Sequence, residues 1–245
     1  MLVEEIMSHP ILAVEPGHTV LDALNVTRYR RIRHLPVVES LGLQGVPEGS
    51  PGVGAGVETL DFRDFPLAPP GARLLGIVSD RDLRDACPSI LANGTTDFSP
   101  LAKARVADIM HAQVVTVHPH DPIEEAARLM YEHRIGCLPV ISGAGLVGIV
   151  TETDVLRAIV ILLGVTSPGS HLDVEVPDRP WHLAEVARLI GDHQVNIASV
   201  LIAPGRREQT RVLVFHIQTI DPRRLVRSLE TAGYHVLWPA VPKLT

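Results

Sequence analysis

Cysteine is scarce in this chain: two in 245 residues, Cys87 and Cys137, far apart and without a Cys-x-x-Cys spacing. That usage supports neither a disulfide framework nor a thiolate zinc site, and it fits a reducing cytoplasm. Long apolar runs are missing as well. The longest, Ala158 to Leu163, is too short to span a bilayer, and Met1-Leu2-Val3-Glu4-Glu5 lacks the basic and apolar regions of a signal peptide. A cytoplasmic protein without membrane attachment is expected. There is no positive excess either: the net charge is −6 and the isoelectric point near 6.0. This argues against general nucleic-acid or anionic-membrane binding, leaving only local patches at Arg28 to Arg33 and Arg206-Arg207. No nucleophile with its base, phosphate-loop motif or metal pair stands out, so a catalytic role is disfavoured. His118-Pro119-His120 has no third ligand nearby and an extended proline geometry, and reads as solvated loop histidines. Gly52-x-Gly54-x-Gly56 has the wrong spacing for a dinucleotide fingerprint and opens no helix.

What is present is an internal repeat. Without a gap, Ile6-Met7 falls on Ile109-Met110, Val14-x-Pro16 on Val117-x-Pro119, Arg31-Ile32 on Arg134-Ile135, and Leu35-Pro36-Val37 on Leu138-Pro139-Val140. The match resumes at Gly76-Ile77-Val78-Ser79-Asp80-Arg81-Asp82 and Gly148-Ile149-Val150-Thr151-Glu152-Thr153-Asp154. The interruption, about 39–73, is an insertion rich in Gly and Pro over Pro47 to Gly56, which reads as an exposed loop.

Within a repeat, Val114 to Val117 reads as a short strand, and Asp121-Pro122 with Glu124 and Glu125 as a helix start with Pro at the first position. Ile123, Ala126, Ala127 and Met130 recur on one helical face, as do Val20, Ala23, Leu24 and Thr27. Cys137 to Ile141 and Leu146 to Thr151 form a hairpin, and a helix follows over Glu152 to Leu163. The repeat unit is β-α-β-β-α, too small to bury a core alone, so two units are expected to pack as a pair around a cleft. Cys87 to Arg105, with Pro88, Asn93-Gly94 and Pro100, reads as a connector, and Thr166 to Ser170 as a hinge.

Beyond the hinge, Leu172, Val174 and Val176 alternate with Asp173 and Glu175 as a half-buried strand. Leu183, Val186, Ala187 and Ile190 form a helical face. Two strands, Asn196 to Ile202 and Arg211 to Ile217, flank a Pro204-Gly205-Arg206-Arg207 turn, Asp221-Pro222 starts a second helix, and His235 to Trp238 is a last strand. That order, β-α-β-β-α-β, is ferredoxin-like with one sheet face open for pairing. The fold class is therefore α+β.

The two Ser/Thr-x-x-Asp sequences admit two readings. Ser79 with Asp82, and Thr151 with Asp154, fit capping boxes. The same groups at a helix start can also hold a phosphate and accept from ribose hydroxyls.

The duplicated unit with Leu-Pro-Val and Gly-Ile-Val-[Ser/Thr]-x-x-Asp resembles a tandem pair of CBS domains, and the C-terminal part resembles an ACT domain. The combination, with Tyr131-Glu132-His133 to Val140 and His235-Val236-Leu237-Trp238-Pro239, is similar to a bacterial CBS-plus-ACT family associated with acetoin utilisation. This resemblance implies a first CBS domain at 1–86, a connector at 87–104, a second CBS domain at 105–165, a linker at 166–170 and an ACT domain at 171–242. It also implies a non-catalytic regulator binding AMP, ADP or ATP in the CBS cleft, without a cofactor or metal, acting as a homodimer through a protein partner. Carried over, the nucleotide residues are Ser79, Asp82, Thr151 and Asp154, with basic Arg33, His34 and Arg81 in the first copy where the second has Gly136, Cys137 and Thr153. One nucleotide position is thus expected to be cationic and to accept a di- or triphosphate, the other to be weaker. In the ACT ligand loop, Asp178, Trp181 and His182 with Asn196 are the candidates. Trp181 replaces the glycine usual in that family, which favours a pairing role for the domain as much as ligand binding. The competing reading is a structural protein with no nucleotide, acting through self-association.

Overall fold

The computed structural model describes residues 1–40, 67–86, 103–143 and 145–239. The Gly/Pro stretch Pro47 to Gly56, most of the connector with Cys87, and the last residues of the C-terminal segment lie outside them. The chain divides into two compact units, Met1–Val155 and Leu156–Thr245. Among the described residues no helix is long and apolar enough to cross a membrane.

In the first unit, helix α1 (Val20–Arg30) opens at Thr19, whose hydroxyl accepts from the Asp22 amide while the Asp22 carboxylate reaches back. Its inward face is the expected one, with Val20, Ala23, Leu24 and Thr27 all buried. The Thr27 hydroxyl donates to the Leu24 carbonyl at 2.8 Å, which lets a polar side chain sit in the core. Strands β1 (His34–Val38) and β2 (Leu74–Ser79) pair antiparallel, and helix α2 (Asp80–Asp85) follows directly. The second repeat copies this with α3 (Ile123–His133), the hairpin β3 (Cys137–Ser142) and β4 (Gly145–Thr151), and α4 (Glu152–Leu162). Both α1 and α3 end on an arginine in the left-handed region, Arg31 (φ 54°) and Arg134 (φ 55°).

Val114 to Val117 does not form the expected strand. The segment makes a single parallel bridge, Val117 to Val140, matched in the first repeat by Val14 to Val37. Pro119, which has no amide hydrogen, follows too closely for a longer ladder. Pro122 sits at the cap of α3 rather than inside its first turn.

The repeats are cross-strapped. Val3, in the short 3-10 turn Val3–Glu5, is buried in the second repeat's core with Val117, Met130, Leu138 and Val150. Val106, in the equivalent turn Val106–Asp108, is buried in the first repeat's core with Leu24, Leu35, Val78 and Leu83. Ser8 bridges Ile149 and His111 bridges Ile77. A smaller cluster, Ile11, Ala13, Val38, Ala72 and Leu146, draws on both repeats. Leu35 and Leu138 are fully enclosed, and each such burial stabilises by about 1.5–3 kcal/mol.

The second unit carries a four-stranded antiparallel sheet in the order β6-β7-β5-β8, from β5 (Ser170–Pro177), β6 (Ile197–Pro204), β7 (Thr210–Ile217) and β8 (His235–Trp238). Helices α5 (His182–Asp192) and α6 (Arg223–Thr231) complete the β-α-β-β-α-β order. The core gathers Leu172, Val174, Val176, Val186, Ile190, Leu213, Phe215, Leu225 and Leu229. Leu183, expected on the buried face of α5, is 37% exposed, because it lies in the first turn. Glu175, expected on a polar face, is buried: Arg207 and His235 meet one carboxylate oxygen at 2.6 and 3.3 Å, and Thr210 the other at 3.3 Å. Burial pulls this carboxyl up, and the His235 and Arg207 hydrogen bonds more than offset it, leaving it below the usual range.

Trp181 caps α5 at φ 80° and is 79% exposed. A bulky side chain in the left-handed region carries strain of about 1–2 kcal/mol. Trp181→Gly should therefore raise stability by about 0.5–1 kcal/mol, the difference after the extra chain entropy of glycine. Thermal unfolding of the full chain checks this, and a lower melting temperature would show that the indole makes a compensating contact.

Candidate functional site

Three Ser/Thr-x-x-Asp boxes occur in the first unit and share one geometry. The Ser79 hydroxyl donates to Asp82 Oδ2 at 2.6 Å and accepts from the Asp82 amide at 3.2 Å, while the Ser79 amide donates to the same oxygen at 2.8 Å. Thr151 and Asp154 repeat this at 2.6, 3.4 and 3.0 Å. Thr19 and Asp22 do so at the start of α1. The box is a capping device wherever it stands. What separates Ser79 and Asp82 from the others is the surface around them.

A cavity of about 820 Å³ opens between the two repeats of the first unit. Its floor is the first motif, Ser79 to Asp82 with Arg84 and Asp85. Ile77, Val114, Val115 and Ile135 supply an apolar wall, and Gly136, Cys137 and Glu152 come from the second repeat. Arg33, His34, Arg81, His111, Gln113 and Arg134 complete the lining. Of the sequence-derived nucleotide residues, Ser79, Asp82, Arg33, His34 and Arg81 are thus brought together. Thr151 and Asp154 do not line this cavity. Val114, Val115, Arg134 and Glu152 were not singled out from the sequence, although the repeat register marks Arg134 as the mate of Arg31 and Glu152 as the mate of Asp80.

The strands explain the convergence. His34 stands opposite Ser79 in the β1–β2 ladder, and Cys137 opposite Thr151 in β3–β4, so the start of each Leu-Pro-Val strand lies beside a motif. His111 is fixed by two backbone hydrogen bonds with Ile77, at 3.0 and 2.9 Å. Gly136 keeps the centre open: a Cβ there would stand 3.3 Å from the His34 ring and 3.5 Å from the Glu152 carboxylate.

The charges are unevenly matched. Arg84 is held by Asp80, with Nε 2.9 Å from Oδ1. Among the described residues, Arg33, Arg81 and Arg134 make no ion pair or hydrogen bond through their side chains. Asp82 Oδ2 is saturated by Ser79, whereas Oδ1 faces His111 Nε2 at 3.3 Å. Burial raises the Asp82 carboxyl, and the hydrogen bonds from Ser79 and His111 outweigh it, so the group stays below the ordinary carboxylate range. Burial, then Arg33, lowers His34, against opposing pulls from Glu152 and Asp82. The Cys137 thiol is pushed up to about 12 by burial and by Glu152, so it is a packed apolar group and not a nucleophile. Among the described residues no group of three or more His, Cys, Asp or Glu is placed to hold a metal ion.

In the second unit three of the ligand-loop candidates, Asp178, His182 and Asn196, are engaged with their neighbours. Asp178 pairs with Arg211 at 3.0 Å. His182 lies 3.3 Å from Glu185, which accepts from the Tyr234 hydroxyl at 2.5 Å. Asn196 reaches Gln218 at 3.4 Å. Trp181 points to solvent.

Comparison with known proteins finds the family model described as "CBS domain" over residues 3–46 and 106–161. A CBS domain-containing protein of Dictyostelium discoideum is 29% identical over 173 residues, 69% of this chain and 99% of its own length. Among solved structures, a provisionally assigned acetoin-utilisation protein from Vibrio cholerae is 28% identical with a TM-score of 0.47, over 68% of this chain and 95% of that one. The structure of CBSX2 in complex with AMP is 25% identical with a TM-score of 0.45, over 65% of this chain and 96% of that one. The two family-model matches fall one in each of the two cross-strapped repeats, so residues 3–46 and 106–161 are each similar to a CBS domain.

Proposed function

We propose that this protein is a cytoplasmic regulator that binds an adenine nucleotide in the cavity between its CBS repeats. The supporting observation is the meeting, in that one cavity, of an ionised carboxylate, an apolar wall and three arginines without an ion partner among the described residues. CBS pairs commonly bind adenine nucleotides in regulatory roles. The base lies against Ile77, Val114, Val115 and Ile135, and the ribose hydroxyls donate to Asp82 Oδ1 after displacing His111. The phosphates lie among Arg33, Arg81 and Arg134 with His34. The three guanidinium groups, without an ion pair among the described residues, favour a di- or triphosphate over a monophosphate. The Thr151–Asp154 position is the weaker of the two. Binding biases the arrangement of the repeats, and the C-terminal unit, an ACT-type domain in this reading, relays that bias through a homodimer or a protein partner. A link to acetoin utilisation belongs to the same reading and rests on the resemblance at Tyr131 to Val140 and His235 to Pro239. The third capping box, at Thr19, favours the alternative of a structural protein whose motifs are helix caps alone.

Calorimetric titration of AMP, ADP and ATP separates the two. ATP or ADP is expected to bind tighter than AMP, with one strong position per chain. A pH profile adds a second criterion. A bound phosphate beside His34 favours its protonated form, so binding takes up a proton, and affinity should rise as the pH falls from roughly 8 to 6. Asp82 stays ionised across that window and does not oppose the trend. Absence of binding to folded protein leaves the structural reading, and a flat profile removes His34 from the phosphate end.

A further inference from the structure

The internal repeat of the first unit is unequal at one place. Leu146, Ile11, Ala13 and Val38 are all buried, because the segment Leu67 to Ala72 lies across them and packs Ala72 in their midst. The Ala68 amide donates to the Ile11 carbonyl at 2.8 Å, the Leu146 amide to the Ala72 carbonyl at 2.8 Å, and the Gly71 amide to the Leu146 carbonyl at 3.2 Å. The chain thus straps this groove shut. Repeat register carries Leu146 onto Leu74, Ile11 onto Val114, Ala13 onto Thr116 and Val38 onto Ile141. These four line a groove of about 280 Å³ that no described residue fills. Leu74, Val114 and Ile141 are half-buried there, and Thr116 is exposed. Among the described residues, the backbones of Leu74 and Val114 make none of the strap hydrogen bonds that Leu146 and Ile11 make. Strand β2 pairs with β1 alone, and its outer edge is bridged at Ile77 by His111 but not at Leu74 or Leu75.

We propose that this second groove docks an extended segment of a partner protein, with small apolar side chains at its centre and a carboxylate at the Arg73 end. The strapped groove shows what fits: alanine-sized side chains, held by backbone hydrogen bonds at the positions that Leu74 and Val114 occupy here. The rim differs in one residue. At Gly145 a Cβ would stand 2.1 Å from the Gly71 carbonyl carbon, so the Pro69-Pro70-Gly71 turn of the strap needs glycine there. The repeat mate of Gly145 is Arg73. A turn pressed that close is shut out, and the occupant instead runs straight, as a strand added to the edge at Leu74 and Leu75. A second copy's strap carries the same turn and is engaged at home, which leaves a foreign segment as the better fit. Arg73 also sets the charge of that segment. Its guanidinium is 3.3 Å from Glu39 in a pair whose side chains are 69% and 58% exposed, so a partner carboxylate competes for it at little cost. Val114 lines both this groove and the nucleotide cavity, so the two share a wall, although the docking site stands without any nucleotide.

Titration of the isotope-labelled full chain with the peptide acetyl-Leu-Ala-Val-Ala-Asp-amide, followed through backbone amide shifts and without nucleotide, tests this. The expected result is saturable shifts centred on Leu74, Leu75, Val114, Thr116 and Ile141. Arg73→Glu should weaken this peptide about three- to fivefold and strengthen a peptide ending in lysine by a similar factor. Thr116→Trp, which fills the groove from an exposed position, should weaken both about tenfold or more, and the charge exchange at Arg73 serves alone if the tryptophan variant misfolds. Absence of saturable shifts overturns the proposal, as does binding indifferent to the Arg73 exchange. Shifts centred on Ile11 and Leu146 would mean that the peptide displaces the chain's own strap, and shifts centred on Ser79 and Asp82 that it enters the nucleotide cavity; either result also overturns it. Groove shifts that grow with protein concentration before any peptide is added would assign the site to a second copy instead.

Discussion

Asp82→Ala is expected to weaken ATP binding about 100-fold, while Asp154→Ala leaves it within about threefold. The two aspartates make the same capping box with the same partners, so each substitution should cost about 0.5–2 kcal/mol of stability. Only Asp82 lines the cavity, with one oxygen free of the box. Loss of a charged acceptor for two hydroxyls removes roughly 1.5–3 kcal/mol per hydrogen bond, less the contact with His111 that ligand binding sacrifices. The internal repeat thus supplies its own control, since structure is perturbed equally and the ligand contact is not. Titration of both variants beside their melting temperatures decides it. Equal loss of affinity in the two would return the motifs to symmetric roles, and no loss in either would leave them as caps.

Phe215→Ala should destabilise the second unit by about 3–5 kcal/mol, since the ring is fully enclosed among Leu172, Val174, Val186, Ile190 and Leu229. The first unit has cores of its own, at Leu24 with Leu35 and at Met130 with Leu138. Unfolding followed by calorimetry should therefore show one transition shifted sharply downward and another close to its original temperature. ATP affinity at temperatures below the first transition should stay within about twofold. A uniform shift of all melting, or binding that disappears with the ring, would sink the idea of separate cores.

Much of this architecture is legible from periodicity, because helices and hairpins are local. Val20, Ala23, Leu24 and Thr27 announce α1, and Ile123, Ala126 and Met130 announce α3; all are buried. The open sheet of the second unit follows from the alternation Leu172, Val174, Val176 in the same way. What escapes is long-range or depends on a partner. Nothing local tells that Val3 belongs to the second repeat's core and Val106 to the first's. Glu175 reads as a surface residue because Arg207 and His235, which make its burial tolerable, are distant in sequence. Of the site, the motif residues and Arg33-His34 are visible by repeat comparison. The apolar wall at Val114 and Val115 is not, since a short valine run reads as an ordinary strand.

The crossed placement of Val3 and Val106 has a consequence for how the chain comes to be built. During synthesis the segment around Val3 emerges before the residues that enclose it, since Met130, Leu138 and Val150 follow more than a hundred residues later. The first repeat can complete its core as soon as Val106 arrives, whereas an early apolar segment is left waiting for the second. Half-made chains therefore carry an exposed hydrophobic segment around Val3, and the ribosome's pace across the second repeat sets how long that segment stays open to chaperones or to a neighbouring chain.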